Sequence, residues 1–202
     1  SQIEPKVLVA VDAYRYSGKD FDCLERLAEI RRRLPSLVET VLVSTNSIGQ
    51  APSLYTPYED FIASGSTSPQ SPQRFPFDHP WYVLYSSGTT GVPKCIVHRT
   101  GGVLIQHMKE HQLHCDIHPQ DRVLYFTTTG WMMWNWLVSV LASGATAVLF
   151  DGAPMAPSLT RLFDIVDAER VTLLGISAKY IDSLRKAGVS PVDTHSLISL
   201  RT

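Results

Sequence analysis

Short apolar runs and longer helical stretches alternate along this chain, and that alternation limits its fold more than any other feature. Residues 6–14, KVLVAVDAY, read as a buried strand. Residues 19–34, KDFDCLERLAEIRRRL, place Phe21, Leu24, Leu27, Ala28 and Ile30 near helical spacing, and residues 38–46, VETVLVSTN, form the next strand. The rhythm resumes with strands at residues 81–87, 94–99 and 121–129 and a helix at residues 101–115. A second helix starts at Trp131 and leads to a strand at residues 145–150. A helix at 159–170, a strand at 171–177, a helix at 178–188 and a strand at 196–202 complete the series. Strand–helix–strand order predicts an α/β fold, a parallel-rich sheet flanked by helices.

Residues 49–80 interrupt the order. They are rich in Pro, Ser and Gly, with Pro69, Pro72, Pro76 and Pro80 in the second half. Within them TPYED predicts a short helix from Pro57 to about Ala63, capped by Thr56. The Pro/Ser-rich loop at about residues 64–80 is the expected mobile segment of what otherwise reads as a single subdomain over residues 1–202.

Charge and length remove several classes of function. The formal net charge of -1 supplies no broad basic field, so nucleic acid is not an expected partner. The one dense basic run, Arg31 to Arg33, ends a predicted helix, where cations meet the negative end of the helix dipole. Residues 131–150 form an uncharged stretch as long as a membrane span. Ser143-Gly144 breaks it at a helix-ending position and β-formers follow, so a buried helix and strand explain it without a bilayer. Cys23, Cys95 and Cys115 make an odd set with no paired spacing, which suits a reducing compartment. With no secretory pattern at the start of the sequence, a cytosolic location is expected.

The most distinctive chemistry lies in YSSGTTGVPK, residues 85–94. Glycine tolerates positive φ, which lets successive backbone N–H groups converge on an anion. Ser86, Ser87, Thr89 and Thr90 add hydroxyls, Gly88 and Gly91 add flexibility, and Lys94 adds a full positive charge. A polyphosphate suits that set. A bare turn between two strands needs only about two to five residues, which leaves the extra length, the proline and the lysine unexplained. The Walker pattern G-x-x-x-x-G-K-[ST] does not fit: with Gly88 first, Pro93 replaces the second Gly and Cys95 replaces the magnesium-binding hydroxyl. The segment after Lys94 also reads as a strand, so no helix N-terminus faces the loop.

YSSGTTGVPKCIVH resembles the hydroxyl-rich phosphate-loop signature of the adenylate-forming acyl-CoA synthetases. The segment HPQDRVLYFTTTGWMMWNWLVSVLASGATAVLFDGAP extends the resemblance, and within the family it looks more like the acetoacetate-activating members than the acetyl or propionyl ones. The family's fold would make this chain one Rossmann-like subdomain of the large N-terminal domain. The resemblance implies a ligase that joins a short keto acid to CoA through an acyl-adenylate, with ATP, Mg2+ and CoA as cofactor or co-substrates. In it Ser86, Ser87, Gly88, Thr89, Thr90, Gly91 and Lys94 would hold the departing pyrophosphate. Trp131, Met132 and Met133 would contribute to the acyl pocket, with Asp151 and Gly152 near the nucleotide or CoA route. Arg15 and Lys19, in RYSGK, resemble the region that meets the CoA nucleotide, although surface loops carry cations anyway. Cys95 stands where many relatives have Gly. The adenine-binding segment, the magnesium-binding T-E motif, the ribose-binding Asp and the lid with the adenylation lysine are expected outside this chain. The segment alone is therefore expected to be inactive, with the rest of the enzyme as its partner.

One cluster is left over. His107-x-x-Glu110-His111 matches an inverted zinc-protease pattern, with His114 and Cys115 close by. The three histidines share a helix face, yet nothing in the pattern demands a third ligand and an open position. No metal site is expected there. A non-catalytic nucleotide-binding module and a zinc hydrolase are the competing readings.

Overall fold

The computed structural model describes residues 2–45, 52–68, 71–86, 91–197 and 200–202. They gather into two compact units, Ser1–Pro72 and Gln73–Thr202, and the division falls inside the Pro/Ser-rich stretch.

In the first unit, β1 (Val7–Val11) is followed by β2 (Ala13–Tyr16) and β3 (Lys19–Asp22), then α1 (Leu24–Arg33), β4 (Glu39–Val43), β5 (Thr56–Pro57) and α2 (Tyr58–Ala63). The sheet runs β1-β4-β5, all parallel. Leu27 of α1 packs with Leu42 and Tyr55 to form the core. The acidic Glu25 opens α1 and Arg31, Arg32 and Arg33 close it, as the helix dipole favours.

Two local expectations are corrected. The strand predicted over residues 6–14 ends at Val11. Residues 19–22 leave the predicted helix and form an antiparallel hairpin with β2, where Tyr14 stacks on Phe21 at 5.0 Å. Ser17 and Gly18 make the turn with positive φ, 49° and 78°, which ends one strand and begins the next. Thr56 does not cap α2. It pairs with Val41 in the sheet and its hydroxyl donates to Glu39 at 2.7 Å, leaving Pro57 at the cap.

Asp12 secures the C-terminal edge of this sheet. It is 2% exposed, and its carboxylate accepts from Ala13 N–H at 2.6 Å, Thr45 N–H at 2.9 Å, Thr45 Oγ1 at 2.8 Å and Ser44 Oγ at 2.9 Å. Burial alone would raise its pKa. The hydrogen bonds from Thr45, Ser44 and Ala13 outweigh that and hold it below the ordinary carboxylate value. Asp12→Ala should lower the stability of the chain by about 1–3 kcal/mol, because it removes a buried carboxylate that accepts four hydrogen bonds, one of them from the buried Ala13 N–H. Because the folded pKa is the lower one, this contribution is complete above the unfolded carboxylate range. It disappears as pH falls through the folded value. Urea unfolding at neutral pH and near pH 3 checks both points, and an unchanged midpoint at neutral pH would refute the role.

The second unit begins with an antiparallel pair, β6 (Pro80–Ser86) and β7 (Lys94–Arg99). Helix α3 (Thr100–Lys109) continues directly into one π-helical turn, Glu110–His114, and leads to β8 (Arg122–Tyr125). Then come α4 (Met132–Val138) with a 3-10 turn at Ser139–Ser143, β9 (Thr146–Val148), α5 (Arg161–Glu169), β10 (Leu173–Gly175) and α6 (Ala178–Lys186). The parallel sheet has the order β10-β8-β9.

Successive residues of its strands serve opposite faces. Leu124 and Leu174 pack with Leu162, Phe163 and Tyr180 from α5 and α6. Val123 and Leu173 pack with Trp136, Leu137 and Val140 beneath α4. Period-two alternation within near-continuous apolar strands produces helices on both faces, as the α/β expectation required.

Residues 131–150 resolve as expected into a helix, a break and a strand. Gly144 ends the helical stretch at φ 75°, and a side chain there would sit 3.2 Å from Pro119. Among the described residues no helix is long and apolar enough to cross a membrane. The strand expected at residues 196–202 falls partly outside the described residues. Arg201 makes one parallel bridge to Leu173.

Candidate active site

The phosphate-loop candidate joins paired strands. Ser86, the last residue of β6, lies opposite Lys94, the first of β7, so the connection closes across that pair. Val, Ile, Tyr and Trp make these strands, and Pro93 ends the loop before the ladder resumes. Ser87, Gly88, Thr89 and Thr90 lie outside the described residues. Gly91 has φ 99°, with nothing within 4 Å of where a Cβ would be, so backbone conformation rather than packing requires glycine there. Lys94 is exposed at the mouth of the loop. Behind it, Tyr82 stacks on His98 at 4.9 Å.

A cavity of about 620 Å3 opens in the same unit, where the sequence alone offered no shape. Its position follows from topology. The chain leaves β8 through α4 for β9 on one side, then returns through α5 to β10 on the other. Such a reversal opens a crevice at the C-terminal ends of the strands, where ligands bind in open α/β sheets, and this cavity runs from there along the sheet to Leu173 at the start of β10 and to Cys115, Asp116 and Arg201. Tyr125 and Gly175, the last residues of β8 and β10, form part of the wall, with Met132, Met133 and Trp136 from α4. Helix α3 and its π turn supply Gln106, His107 and Glu110.

Of the residues predicted to contact substrate, Met132 and Met133 line this cavity. Trp131 caps α4 and is 64% exposed, and Asp151 and Gly152 follow β9, so these three lie outside the cavity wall. Gly152 has φ 148° and packs against the ring of Phe150. Arg15 and Lys19 belong to the β2–β3 hairpin of the first unit, with Arg15 3.7 Å from Asp20 and both exposed. Exposure of that degree makes the pair energetically minor.

The histidine helix folds into the packing beside the cavity. His111 is fully buried and its Nε2 lies 3.1 Å from the carbonyl of Trp136, so Nε2 carries the proton. Its Nδ1 has no hydrogen-bond partner among the described residues. The Nδ1 of His107 lies 2.8 Å from the Ser139 hydroxyl, which itself donates to the Trp136 carbonyl at 2.8 Å. Burial lowers both histidine pKa values and keeps the rings neutral. His98 adds to the effect at His107, and His107 adds to it at His111. His114 is exposed. Among the described residues no three His, Cys, Asp or Glu side chains are placed to share a metal ion.

The π turn was not legible in the sequence. Cys115 N–H reaches back five residues to the Glu110 carbonyl at 2.9 Å, and Ile117 N–H bonds the His111 carbonyl at 2.8 Å. At the same end Arg201 binds the carbonyls of Cys115 and Asp116 and pairs with Asp121. Burial would raise the pKa of Asp121, but hydrogen bonds from Arg201, Thr172 and the His118 N–H hold it down. This network joins the π turn to the edges of β8 and β10. Tyr125, Trp136, Gly175 and His107 were likewise not read as site residues. The one available signal was Gly175, a lone glycine in a strand, which often marks a close approach.

Comparison with known proteins agrees with these features. An acetoacetyl-coenzyme A synthetase of Rhizobium meliloti (strain 1021) is 48% identical over 202 residues, covering 99% of this chain and 31% of that protein. The acetoacetyl-CoA synthetase of Gallus gallus is 45% identical, covering 100% of this chain and 32% of that one. The solved structure of an acetoacetyl-CoA synthetase from Streptomyces lividans superposes with a TM-score of 0.91 at 44% identity. It covers 99% of this chain and 30% of that one. The chain thus spans just under a third of the length of the relatives it matches. The AMP-binding enzyme family matches residues 1–202 throughout. On sequence, fold and loop alike, this chain belongs to the AMP-binding enzyme family.

Proposed function

We propose that this chain is a segment of an ATP-dependent acid–CoA ligase that activates acetoacetate, a short keto acid. The observation that carries the proposal is one unit holding both a hydroxyl- and glycine-rich loop closed by the Ser86–Lys94 pair and an apolar cavity at the strand ends. Helix α3 links them: it starts where β7 ends, and its C-terminal end lines the cavity.

The reaction has two steps. A carboxylate oxygen of the acid attacks the α-phosphorus of ATP, and the bond to pyrophosphate breaks. The CoA thiol then attacks the acyl carbon and AMP leaves. Negative charge builds on pyrophosphate in the first step, and fixed donors aimed at it lower the barrier without reorganising. Ser86, Ser87, Gly88, Thr89, Thr90, Gly91 and Lys94 serve that role. The positive φ of Gly91 suits a backbone turned toward an anion. Met132 and Met133 shape the acyl pocket, and methionine adapts to a small chain. Mg2+ would screen the phosphate oxygens. The family's motif for it is expected outside this segment, so no step here is assigned to it.

Trp131 is kept with the acyl-pocket residues, Asp151 and Gly152 as contacts on the nucleotide or CoA route, and Arg15 and Lys19 as contacts for the CoA phosphates. We read residues 1–202 as part of a larger AMP-binding domain that works with the rest of the ligase. Cys23, Cys95 and Cys115 form no disulfide with one another, which suits the cytosol.

Acid-dependent ATP–pyrophosphate exchange by the intact ligase, across acetate, acetoacetate and butyrate, tests the reading. The highest kcat/KM is expected with acetoacetate. Preference for acetate would reassign the chain to the acetyl-activating type, and no exchange with any acid would favour a binding module.

A further inference from the structure

Resting on the reading of residues 86–94 as the phosphate loop and of the cavity as the acyl pocket, we propose that Phe77 and Gly101 are positioning residues that hold the loop at a fixed angle to the pocket. Among the described residues β6 and β7 form a two-stranded sheet of their own, with no ladder to β10-β8-β9. A strand pair alone has little to orient it. Its direction is therefore set at the corner where β7 becomes α3, the helix whose far end lines the cavity. Lys94 lies five residues along β7 from that corner, about 17 Å at the rise of a strand. A tilt of about 4° at the corner moves it by about 1 Å, an error of the size that can cost an enzyme about a hundredfold.

The corner has no slack. Arg99 is both the last residue of β7 and the cap of α3, so the chain turns at one residue. Three successive carbonyls of the preceding turn are seated on it. Arg99 Nη1 donates to the Asp78 carbonyl at 2.5 Å, and the N–H and hydroxyl of Thr100 donate to the His79 carbonyl at 2.9 and 3.0 Å. Gly101 N–H donates to the Phe77 carbonyl at 2.8 Å, so two of the open N–H groups at the helix start are satisfied. The turn is closed by His79 N–H on the Pro76 carbonyl at 3.1 Å and by Phe75 stacked on His79 at 4.4 Å. It runs straight into β6, whose first residue, Pro80, pairs with Arg99. The Phe77 ring lies where a side chain at residue 101 would begin: a Cβ there would stand 2.5 Å from Cγ of the ring and nearer still to Cδ2 and Cε2. At Gly102, the next residue of the helix, a Cβ would meet nothing within 4 Å. The ring, and not the helix start, therefore demands glycine at 101. Phe77 is 63% exposed, so it adds little to folding, and what it supplies is its close seat on the helix.

The test uses the intact ligase and reads a ratio of its two half-reactions on one preparation. The first is ATP–pyrophosphate exchange with acetoacetate. The second is thioester formation from CoA and synthetic acetoacetyl-adenylate, which uses the pocket but handles no pyrophosphate. Their ratio is independent of the fraction of enzyme that is folded. In Gly101→Ala the added methyl turns the Phe77 ring out toward solvent, and exchange relative to thioester formation should fall about tenfold or more. Phe77→Ala removes the ring without any collision and should lower the ratio in the same way, and the double variant should fall no further than either alone. Gly102→Ala, the same methyl one residue on, should leave the ratio near wild type. Lys94→Ala tests the underlying reading, because it removes the charge of the loop itself. If Lys94→Ala lowers the ratio while Phe77→Ala leaves it unchanged, or Gly101→Ala matches Gly102→Ala, the corner has no positioning role and the loop reading stands. If Lys94→Ala leaves the ratio unchanged, the loop is not the phosphate loop and both readings fail.

Discussion

Lys94→Ala should lower ATP–pyrophosphate exchange by the intact ligase about tenfold to a thousandfold, by analogy with the roughly hundredfold to thousandfold loss when one preorganised donor to a developing anion is removed. The reason is the place of Lys94 in the hairpin. It is the first residue of β7 and sits across the ladder from Ser86, so both ends of the loop are held by the same strand pair. A lysine there is fixed at its backbone while its ammonium group remains in the open. Lys94→Arg keeps the charge but spreads it over a planar fork, and should recover only part of the rate. The loss should appear mainly in kcat, because charge on pyrophosphate grows toward the transition state. Lys94→Ala should leave the stability of the chain nearly unchanged, since an exposed side chain contributes little to folding. Exchange at the wild-type rate would remove the loop from the mechanism.

Much of the frame was legible because its signals are local. The β8, β9 and β10 strands are short apolar runs bounded by Asp, Gly or Ser, and α5 and α6 carry helical periodicity with a Ser cap at Ser177. The candidate phosphate loop stood out because seven mostly small or polar residues exceed what a turn between two strands needs. What escaped reading depended on partners distant in sequence. Phe21 suits a helix face as well as a hairpin, and only its stacking on Tyr14 across the turn decides for the hairpin. Thr56 has the composition of a cap, but Glu39 takes its hydroxyl. His107 and His111 were visible as a spacing, while their meaning depends on Ser139 and on the Trp136 carbonyl, both on another helical segment. The cavity is a product of strand order, which periodicity does not encode.

Gly175→Ala should be among the most damaging single-methyl additions in the chain. Gly175 pairs with Tyr125 in the parallel register of β10 and β8, and the Tyr125 ring lies across the position a side chain would take. A Cβ at residue 175 would meet Tyr125 Cδ2 at 2.0 Å, Cε2 at 2.3 Å and Cγ at 2.6 Å. Contact with Cγ rules out relief by a small swing of the ring's far end, so the whole side chain must leave its rotamer. Trp136 contacts the same ring edge-on at 5.9 Å, which blocks one way out. The other way leads into the cavity that both residues line. Overpacking of this kind costs about 1–3 kcal/mol, and the displaced ring should also narrow the cavity proposed as the acyl pocket and, on that reading, lower kcat/KM for four-carbon acids before acetate. A double-mutant cycle isolates the cause. In a Tyr125→Ala background, Gly175→Ala should cost well under about 1 kcal/mol, because the colliding ring is gone. Urea unfolding of the four proteins gives the coupling directly, and equal costs in both backgrounds would show that Tyr125 is not the reason for glycine at this strand end.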